Sequence, residues 1–311
     1  MYKPESQYNF YKRISLFLKD LSVESVCSIL KFGLPKRMGT IFSLRKNSFL
    51  DIERPIFFLS TGRCGTNWFQ ALLSHDKNLK TEHEAVPNLA FQNKFAYNLF
   101  NMARQGEIEY NTAVESAKEI FLAGRETYLR YCYKTKKRFA ETNHYLTFFA
   151  PAIAELLPNA IFVHVYRHPG DFVRSAVRRG WFTEKNISSH AFIRPLSFMP
   201  EYEKWEQLSL IQKNAWLWRE TNLFIEDFKK KIPENRFFSF DFSKLSTDKV
   251  MELIKFADVN ISEDKVVKQM QKKVNFQKGG DFPGYESWDK NQKQELSYFC
   301  KDLAEIYGYK I

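Results

Sequence analysis

The sequence predicts an α/β domain in which a central, mostly parallel sheet is flanked by helices. Residues 55–69 and 160–179 carry that prediction, because each is a near-continuous apolar, β-rich run that breaks at a turn and restarts as a helix. Uninterrupted apolar runs suit strands buried on both faces, and strand, turn and helix in that order form the unit of a parallel sheet. Length is the third observation. With 311 residues and no Gly- or Ser-rich linker between halves, the chain reads as one large domain with insertions.

The first strand-turn-helix unit breaks at Thr61-Gly62 and restarts near Thr66. Such a turn aims several backbone N–H groups at one point, where the helix dipole also favours an anion. An anionic ligand is therefore expected on residues 62–67, which are Gly62, Arg63, Cys64, Gly65, Thr66 and Asn67. A nucleotide-hydrolysing P-loop ends in Gly-Lys-Ser/Thr. Here Gly65 is followed by Thr66-Asn67, so the lysine is missing, and Arg63 inside the turn supplies a planar, permanently charged fork instead.

The second unit places Arg167 at the carboxyl end of its strand, where open α/β sheets bind ligands. Pro169 suits a first helical turn. Ser175 follows Arg167 by eight residues, so its hydroxyl lies one to two turns into the helix, within reach of an anion held by the arginine.

With both units in hand, the chain resembles the sulfotransferases that use 3′-phosphoadenosine 5′-phosphosulfate (PAPS), which have a P-loop-like fold. Ser60-Thr-Gly-Arg-Cys-Gly-Thr-Asn-Trp68 is similar to their 5′-phosphosulfate loop, and Arg167 through Ser175 to their 3′-phosphate motif. Residues 156–167 resemble the family's helix-to-strand approach, residues 232–242 a later core strand, and Trp288 through Tyr309 the closing tryptophan and helix of bacterial members. The resemblance covers roughly residues 52–311 and leaves residues 1–50 as a separate extension. It implies that Arg63, Thr66, Asn67 and the loop backbone hold the 5′-phosphate, that Arg167 and Ser175 hold the 3′-phosphate, and that transfer is in line and metal-free. By the same resemblance Trp68 faces the adenine, with a core-facing Trp68 as the alternative. Lys278-Gly279-Gly280 loosely resembles a basic turn that closes over the 3′-phosphate, an exposed turn being the favoured reading.

Transfer to a hydroxyl or amine needs a group that takes the acceptor's proton. Glu82-His83-Glu84 falls just past the first helix, where a second strand returns the chain to the same rim. Counted from Arg63, Glu84 stands where tyrosylprotein sulfotransferases, by resemblance, have a glutamate base. His144 is the rival, at nearly the distance from Arg167 of the histidine base in cytosolic steroid and phenol sulfotransferases. Many bacterial members carry Lys-Thr-Pro where this chain has Glu141-Thr142-Asn143. A nucleophilic Cys64 is a further alternative, because a helix N-terminus lowers thiol pKa, but a packing role is favoured there.

Residues 85–137 and 181–218 read as helical insertions that shape the acceptor site. Phe91, Phe95, Leu99 and Met102, and then Val114, Ala117 and Phe121, recur at helical spacing, a pattern more typical of core than of a substrate platform. Arg178, Arg179, Trp181, Arg194, Trp205, Trp216 and Trp218 suit a sugar-rich or anionic acceptor, so a glycan or glycolipid is expected.

A net charge of +11 favours anionic partners. A nucleic-acid role rests on charge alone, since no zinc spacing, helix-turn-helix signature or aromatic RNA motif accompanies it, and none is expected. Cys27, Cys64, Cys132 and Cys300 lack C-x-x-C spacing, which speaks against a zinc site or disulfide framework and for a reducing, cytoplasmic setting. Residues 10–46 hold Phe10, Ile14, Phe17, Leu18 and Leu21 at helical spacing among basic residues. That face either packs on the core or a partner subunit, the favoured reading, or lies peripherally on an anionic inner membrane face. Two other functions stay open at this level, a P-loop-type small-molecule kinase and a noncatalytic nucleotide-fold binder.

Overall fold

A computed structural model describes residues 48–272 and 281–311. The amphipathic face within residues 10–46, Cys27 and the Lys278-Gly279-Gly280 turn lie outside the described residues. Five strands form one sheet: β1 (Ile56–Leu59), β2 (Leu79–Glu82), β3 (Arg138–Glu141), β4 (Ile161–Tyr166) and β5 (Phe237–Asp241). Their order is β2-β3-β1-β4-β5, and each neighbouring pair is parallel, so the expected α/β class with a mostly parallel sheet is present and the sheet is parallel throughout.

The helices among the described residues are α1 (Thr66–Leu73), α2 (Ala90–Arg104), α3 (Tyr110–Thr135), α4 (Ala150–Leu156), α5 (Pro169–Val177), α6 (Leu210–Lys229), α7 (Thr247–Ala257), α8 (Glu263–Met270) and α9 (Lys290–Ile306). They cover both faces of the sheet. Ile56, Phe58, Val163 and Phe240 point to the layer of α1, α7 and α8, while Phe57, Leu59, Phe139 and Phe162 point to that of α2 to α6 and α9. The strict alternation follows from the period-2 geometry of strands, and both faces are apolar because both are covered. Phe57 sits in a ring cluster, with Phe121, Phe139 and Phe162 at centroid separations of 5.8, 5.9 and 6.2 Å.

Helix α1 therefore leaves β1 toward one face, and α5 leaves the adjacent β4 toward the other. Such a switch point opens a crevice between the two strand ends, which is where ligands bind in open α/β sheets. Helix ends are capped by local chemistry: Pro169 occupies the first turn of α5, and Ser209/Gln212 and Asp289/Gln292 form capping boxes on α6 and α9.

The first insertion is helical as expected, and the second is helical only in part. Residues 85–137 form α2 and α3, and Val114, Ala117 and Phe121 are core, but Phe91 and Phe95 are 60% and 50% exposed. Of that stripe α2 buries Leu99, and beside it Asn93, Ala96, Tyr97 and Phe100, so its core face is rotated away from Phe91 and Phe95. Residues 181–209 are irregular, with short 3-10 turns at Ile187–Ala191 and Trp205–Gln207 rather than helices, and α6 starts only at Leu210. Trp205, Trp216 and Trp218 are buried core residues, and Arg194 pairs with Glu206 at 3.2 Å.

One buried polar group on β4 has a thermodynamic consequence. His164 is fully buried, and its Nε2–H donates to Asn222 Oδ1 at 2.8 Å, while Asn222 Nδ2 donates to the Trp218 carbonyl. Burial pushes His164 from 6.5 down to about 4. The unfolded chain thus binds more protons between those values, so this stability is fully present above the unfolded pKa and is lost as pH falls toward the folded one. Unfolding free energy should fall by on the order of 1 kcal/mol per pH unit across that window from this group. Denaturant titrations at about pH 5 and 6.5 should show a shallower dependence in His164→Gln. An equal slope in the variant assigns the acid sensitivity elsewhere.

Candidate active site

Register brings the strand ends to one rim: Leu59 pairs with His164, Glu82 with Glu141, and Tyr166 with Asp241. Where β1 ends, Thr147 continues its pairing, accepting from Ser60 N–H and donating to Ser60 O, both at 3.0 Å. The chain then turns through three left-handed residues, Gly62 (φ 78°), Arg63 (φ 56°) and Gly65 (φ 82°), before α1 begins. Glycine is required twice. A Cβ on Gly62 would meet the His144 ring at 2.9 Å, and one on Gly65 would meet the Phe242 ring at 2.2 Å. The first-turn N–H groups of α1 lack intrahelical acceptors and are available to an anion.

Arg63 and Arg167, 104 residues apart, meet here: Arg167 Nη1 donates to Arg63 O at 3.0 Å. Arg63 Nε donates to Ser175 Oγ at 3.1 Å, so the hydroxyl of α5 is joined to the arginine of the loop. Arg167 also pairs with Asp171 Oδ2 at 3.2 Å, one turn along α5, and Trp218 Nε1–H donates to its carbonyl at 3.2 Å. Arg167 Nε is buried without a hydrogen-bond partner. Burial, followed by the charges of Arg179 and Arg167, holds Arg63 down at about 10. Like charges packed together in this way are relieved by a bound anion.

The opposite wall carries the rival bases side by side. Glu84 Oε1 lies 3.7 Å from His144 Nδ1 and 3.8 Å from His83 Nε2. His83 Nδ1–H donates to Thr142 O at 2.8 Å, which fixes its ring. His144 is wedged between Gly62 and Tyr145, whose ring centroid is 3.9 Å away. Its Nε2 is buried and has no hydrogen-bond partner. Burial, with smaller contributions from His83 and Arg63, pushes His144 down to about 3, so the ring is neutral at physiological pH. The Glu84 side chain is 39% exposed and lines the cleft.

Between these walls lies a cleft of about 1140 Å³. Arg63, Arg167, Arg174, Arg178, Arg179 and Lys272 line it against two carboxylates, Glu84 and Asp171. Residues 55–259 match the Sulfotransfer_3 profile, described as the sulfotransferase family. The chain belongs to the sulfotransferase family. It is a sulfotransferase enzyme, and membership implies PAPS as donor.

Similar solved structures include the sulfotransferase domain from the curacin biosynthetic pathway (11% identity, TM-score 0.47, covering 84% of this chain and 99% of that one). Sulfotransferase STF9 from Mycobacterium avium (12%, 0.48, 88% and 82%) and a sulfotransferase from Alicyclobacillus acidocaldarius (16%, 0.46, 84% and 98%) are similar at the same level. No curated protein matches the sequence.

Most of the residues singled out in this sulfotransferase's sequence line the cleft: Arg63, Gly65, Thr66, Asn67, Arg167 and Ser175, with Glu84 and His144 facing them. Gly62 and Cys64 do not. Gly62 N–H is taken by Ser60 Oγ at 3.0 Å, which removes it from the row of donors open to a ligand. Cys64 is fully buried and its thiol donates to Gly62 O at 3.1 Å, while burial pushes its pKa up, which removes the nucleophile alternative. Trp68 is 5% exposed and donates to Gln269 O at 3.2 Å, so it is mainly core, with one edge on the cleft.

The sequence reading missed a brace behind the site. Arg125 and Glu141 are both fully buried and form a two-pronged pair, Nε–Oε2 2.6 Å and Nη2–Oε1 2.7 Å. Arg125 Nη1 donates to Pro87 O at 2.7 Å, and Asn143 Nδ2 donates to both Glu141 Oε1 and Asn88 O at 3.1 Å. The pair thus ties α3, β3 and the segment just after Glu84 together. Asp171, by contrast, stands four residues after Arg167, a helical pairing distance that was legible. Among the described residues no cluster of three or more His, Cys, Asp or Glu is placed to hold a metal, and no helix is long and apolar enough to cross a membrane.

Proposed function

We propose that the enzyme moves the sulfuryl group of PAPS in line to a hydroxyl of a glycan or glycolipid, or to an amine, with Glu84 as base and without a metal. The observation that carries this reading is the junction of the two anion motifs, Arg63 to Ser175 and Arg167 to the Arg63 carbonyl, with Glu84 on the facing wall of the same cleft. Arg63, Thr66, Asn67 and the first-turn N–H groups of α1 hold the 5′-phosphosulfate end. Arg167 and Ser175 hold the 3′-phosphate, Ser175 with the hydroxyl proton that it keeps when it accepts from Arg63.

As the acceptor oxygen bonds to sulfur, its proton passes to the Glu84 carboxylate. The sulfur to bridging-oxygen bond breaks, and the electron pair leaves on the 5′-phosphate, next to Arg63. Preorganised donors at such a leaving group are worth roughly 2.7–4 kcal/mol each. Glu84 is favoured over His144 because His144 turns Nδ1 to Glu84 and buries Nε2, whereas the carboxylate is open to the cleft. His144 and His83 flank the Glu84 carboxylate, at 3.7 and 3.8 Å. The free, buried thiols Cys64, Cys132 and Cys300 fit a reducing, cytoplasmic setting.

Calorimetric titration with 3′-phosphoadenosine 5′-phosphate (PAP) against ADP, with EDTA present, tests the donor site. PAP should bind clearly and ADP weakly, and Arg167→Ala should weaken PAP by roughly tenfold or more, the loss expected for a charge-assisted phosphate contact. Equal binding of the two nucleotides, or an unchanged PAP affinity in the variant, contradicts the 3′-phosphate assignment.

A further inference from the structure

One residue, His168, joins Arg167 to α5, and the donor reading gives it no task. Its polar groups reach three separate parts of the chain. The N–H donates to Ser243 Oγ at 2.9 Å, Nδ1 accepts from Gly170 N–H at 3.1 Å, and Nε2 faces the Lys310 carbonyl at 3.5 Å. A neutral ring that accepts at Nδ1 carries its proton on Nε2, so a single tautomer serves both ring contacts. Burial lowers the pKa of His168, which keeps the Nδ1 lone pair free.

Gly170 N–H is one of the first-turn donors of α5 that lack an intrahelical acceptor, so His168 is the N-cap of that helix. Asn, Asp, Ser and Thr are the usual residues there, and none of them has a second ring atom to reach Lys310. The ring is packed as well as bonded. Tyr285 and Tyr309 lie against it at centroid separations of 4.7 and 5.2 Å, and a Cβ on Gly170 would meet the Tyr285 ring at 2.5 Å. The Tyr309 hydroxyl donates to Asp241 Oδ1, which also accepts from Ser243 N–H at 2.9 Å. The end of β5 and the residues after α9 thus hold His168 together.

The peptide group between Arg167 and His168 is fixed on both sides, since Trp218 Nε1–H donates to its carbonyl at 3.2 Å and its N–H goes to Ser243. From that fixed peptide the Arg167 side chain extends one way, and α5, carrying Ser175, starts the other. We infer that His168 is a positioning residue for the 3′-phosphate: by capping α5 it sets the separation between the Arg167 guanidinium and the Ser175 hydroxyl. The inference rests on the donor reading above, which puts the phosphate between those two groups.

PAP and adenosine 5′-phosphate (AMP) differ only in the 3′-phosphate, so calorimetric titration of the full-length protein with both reads this contact by itself. His168→Ala should weaken PAP about tenfold, the order of an N-cap's worth, and leave AMP within about twofold. His168→Asn should recover most of the loss, because Oδ1 of Asn stands where Nδ1 of the ring does and accepts the same N–H. Ser243→Ala releases the peptide without altering the ring and should weaken PAP selectively in the same way, which keeps the test open if His168→Ala is unstable. Equal losses for PAP and AMP, an unchanged PAP affinity, or no recovery in His168→Asn overturns the inference. A wild-type protein that binds PAP no more tightly than AMP overturns the 3′-phosphate reading itself, and the inference with it.

Discussion

Glu84→Gln should lower kcat for PAP release from PAPS by roughly 10²- to 10⁴-fold, the range for loss of a positioned general base. The substitution keeps the shape of the side chain and removes only its ability to take a proton. Its effect on the donor has the opposite sign, because the Glu84 charge supports that of Arg63 from across the cleft and repels an anion there. PAP should therefore bind the variant as well as, or more tightly than, the wild type. His144→Asn should cost less than that range, because the ring turns Nδ1 toward Glu84 and buries Nε2. Single-turnover rates with each variant decide between the two. If His144→Asn loses more than Glu84→Gln, the imidazole is the base and the carboxylate its orienting group.

Sequence order presented Glu84 and His144 as rivals sixty residues apart, and the fold makes them neighbours. The reason is register. Glu82 on β2 pairs with Glu141 on β3, so the residues two and three places beyond each strand end arrive at the same height on the rim. A reader of the sequence could place each strand end but not the order β2-β3-β1-β4-β5 that sets β2 beside β3. The two phosphate units were legible because each is local, with strand, turn, arginine and helix start inside twenty residues. The helical spacing of Phe91 and Phe95 was equally local, yet it gave the period of α2 and not the face that the rest of the chain would cover. Tryptophan content misled in residues 181–218 for a similar reason, since Trp205, Trp216 and Trp218 pack inward while only Trp181 borders the cleft. Gly62 and Cys64 were read as donors from a backbone pattern that cannot reveal that Ser60 already occupies one of those N–H groups.

The brace behind Glu84 leads to the largest stability effect. Arg125→Met should destabilise the protein by about 3–5 kcal/mol, because it leaves the Glu141 carboxylate fully buried without its partner. Replacing both residues, as Arg125→Met with Glu141→Leu, removes the stranded charge, and buried ion pairs exchanged for apolar groups of similar size are often neutral in stability. The double variant should thus recover most of the loss in urea titrations. Activity should not follow. Without Arg125 Nη1 on the Pro87 carbonyl and Glu141 under Asn143, residues 87 and 88 lose two of the contacts that fix the chain just after Glu84. A misplacement of about 1 Å at a base costs on the order of 10²-fold in rate. A double variant that is stable, binds PAP normally and turns over slowly would assign the buried pair to positioning. One that regains both stability and rate would reduce it to a packing element of α3 and β3.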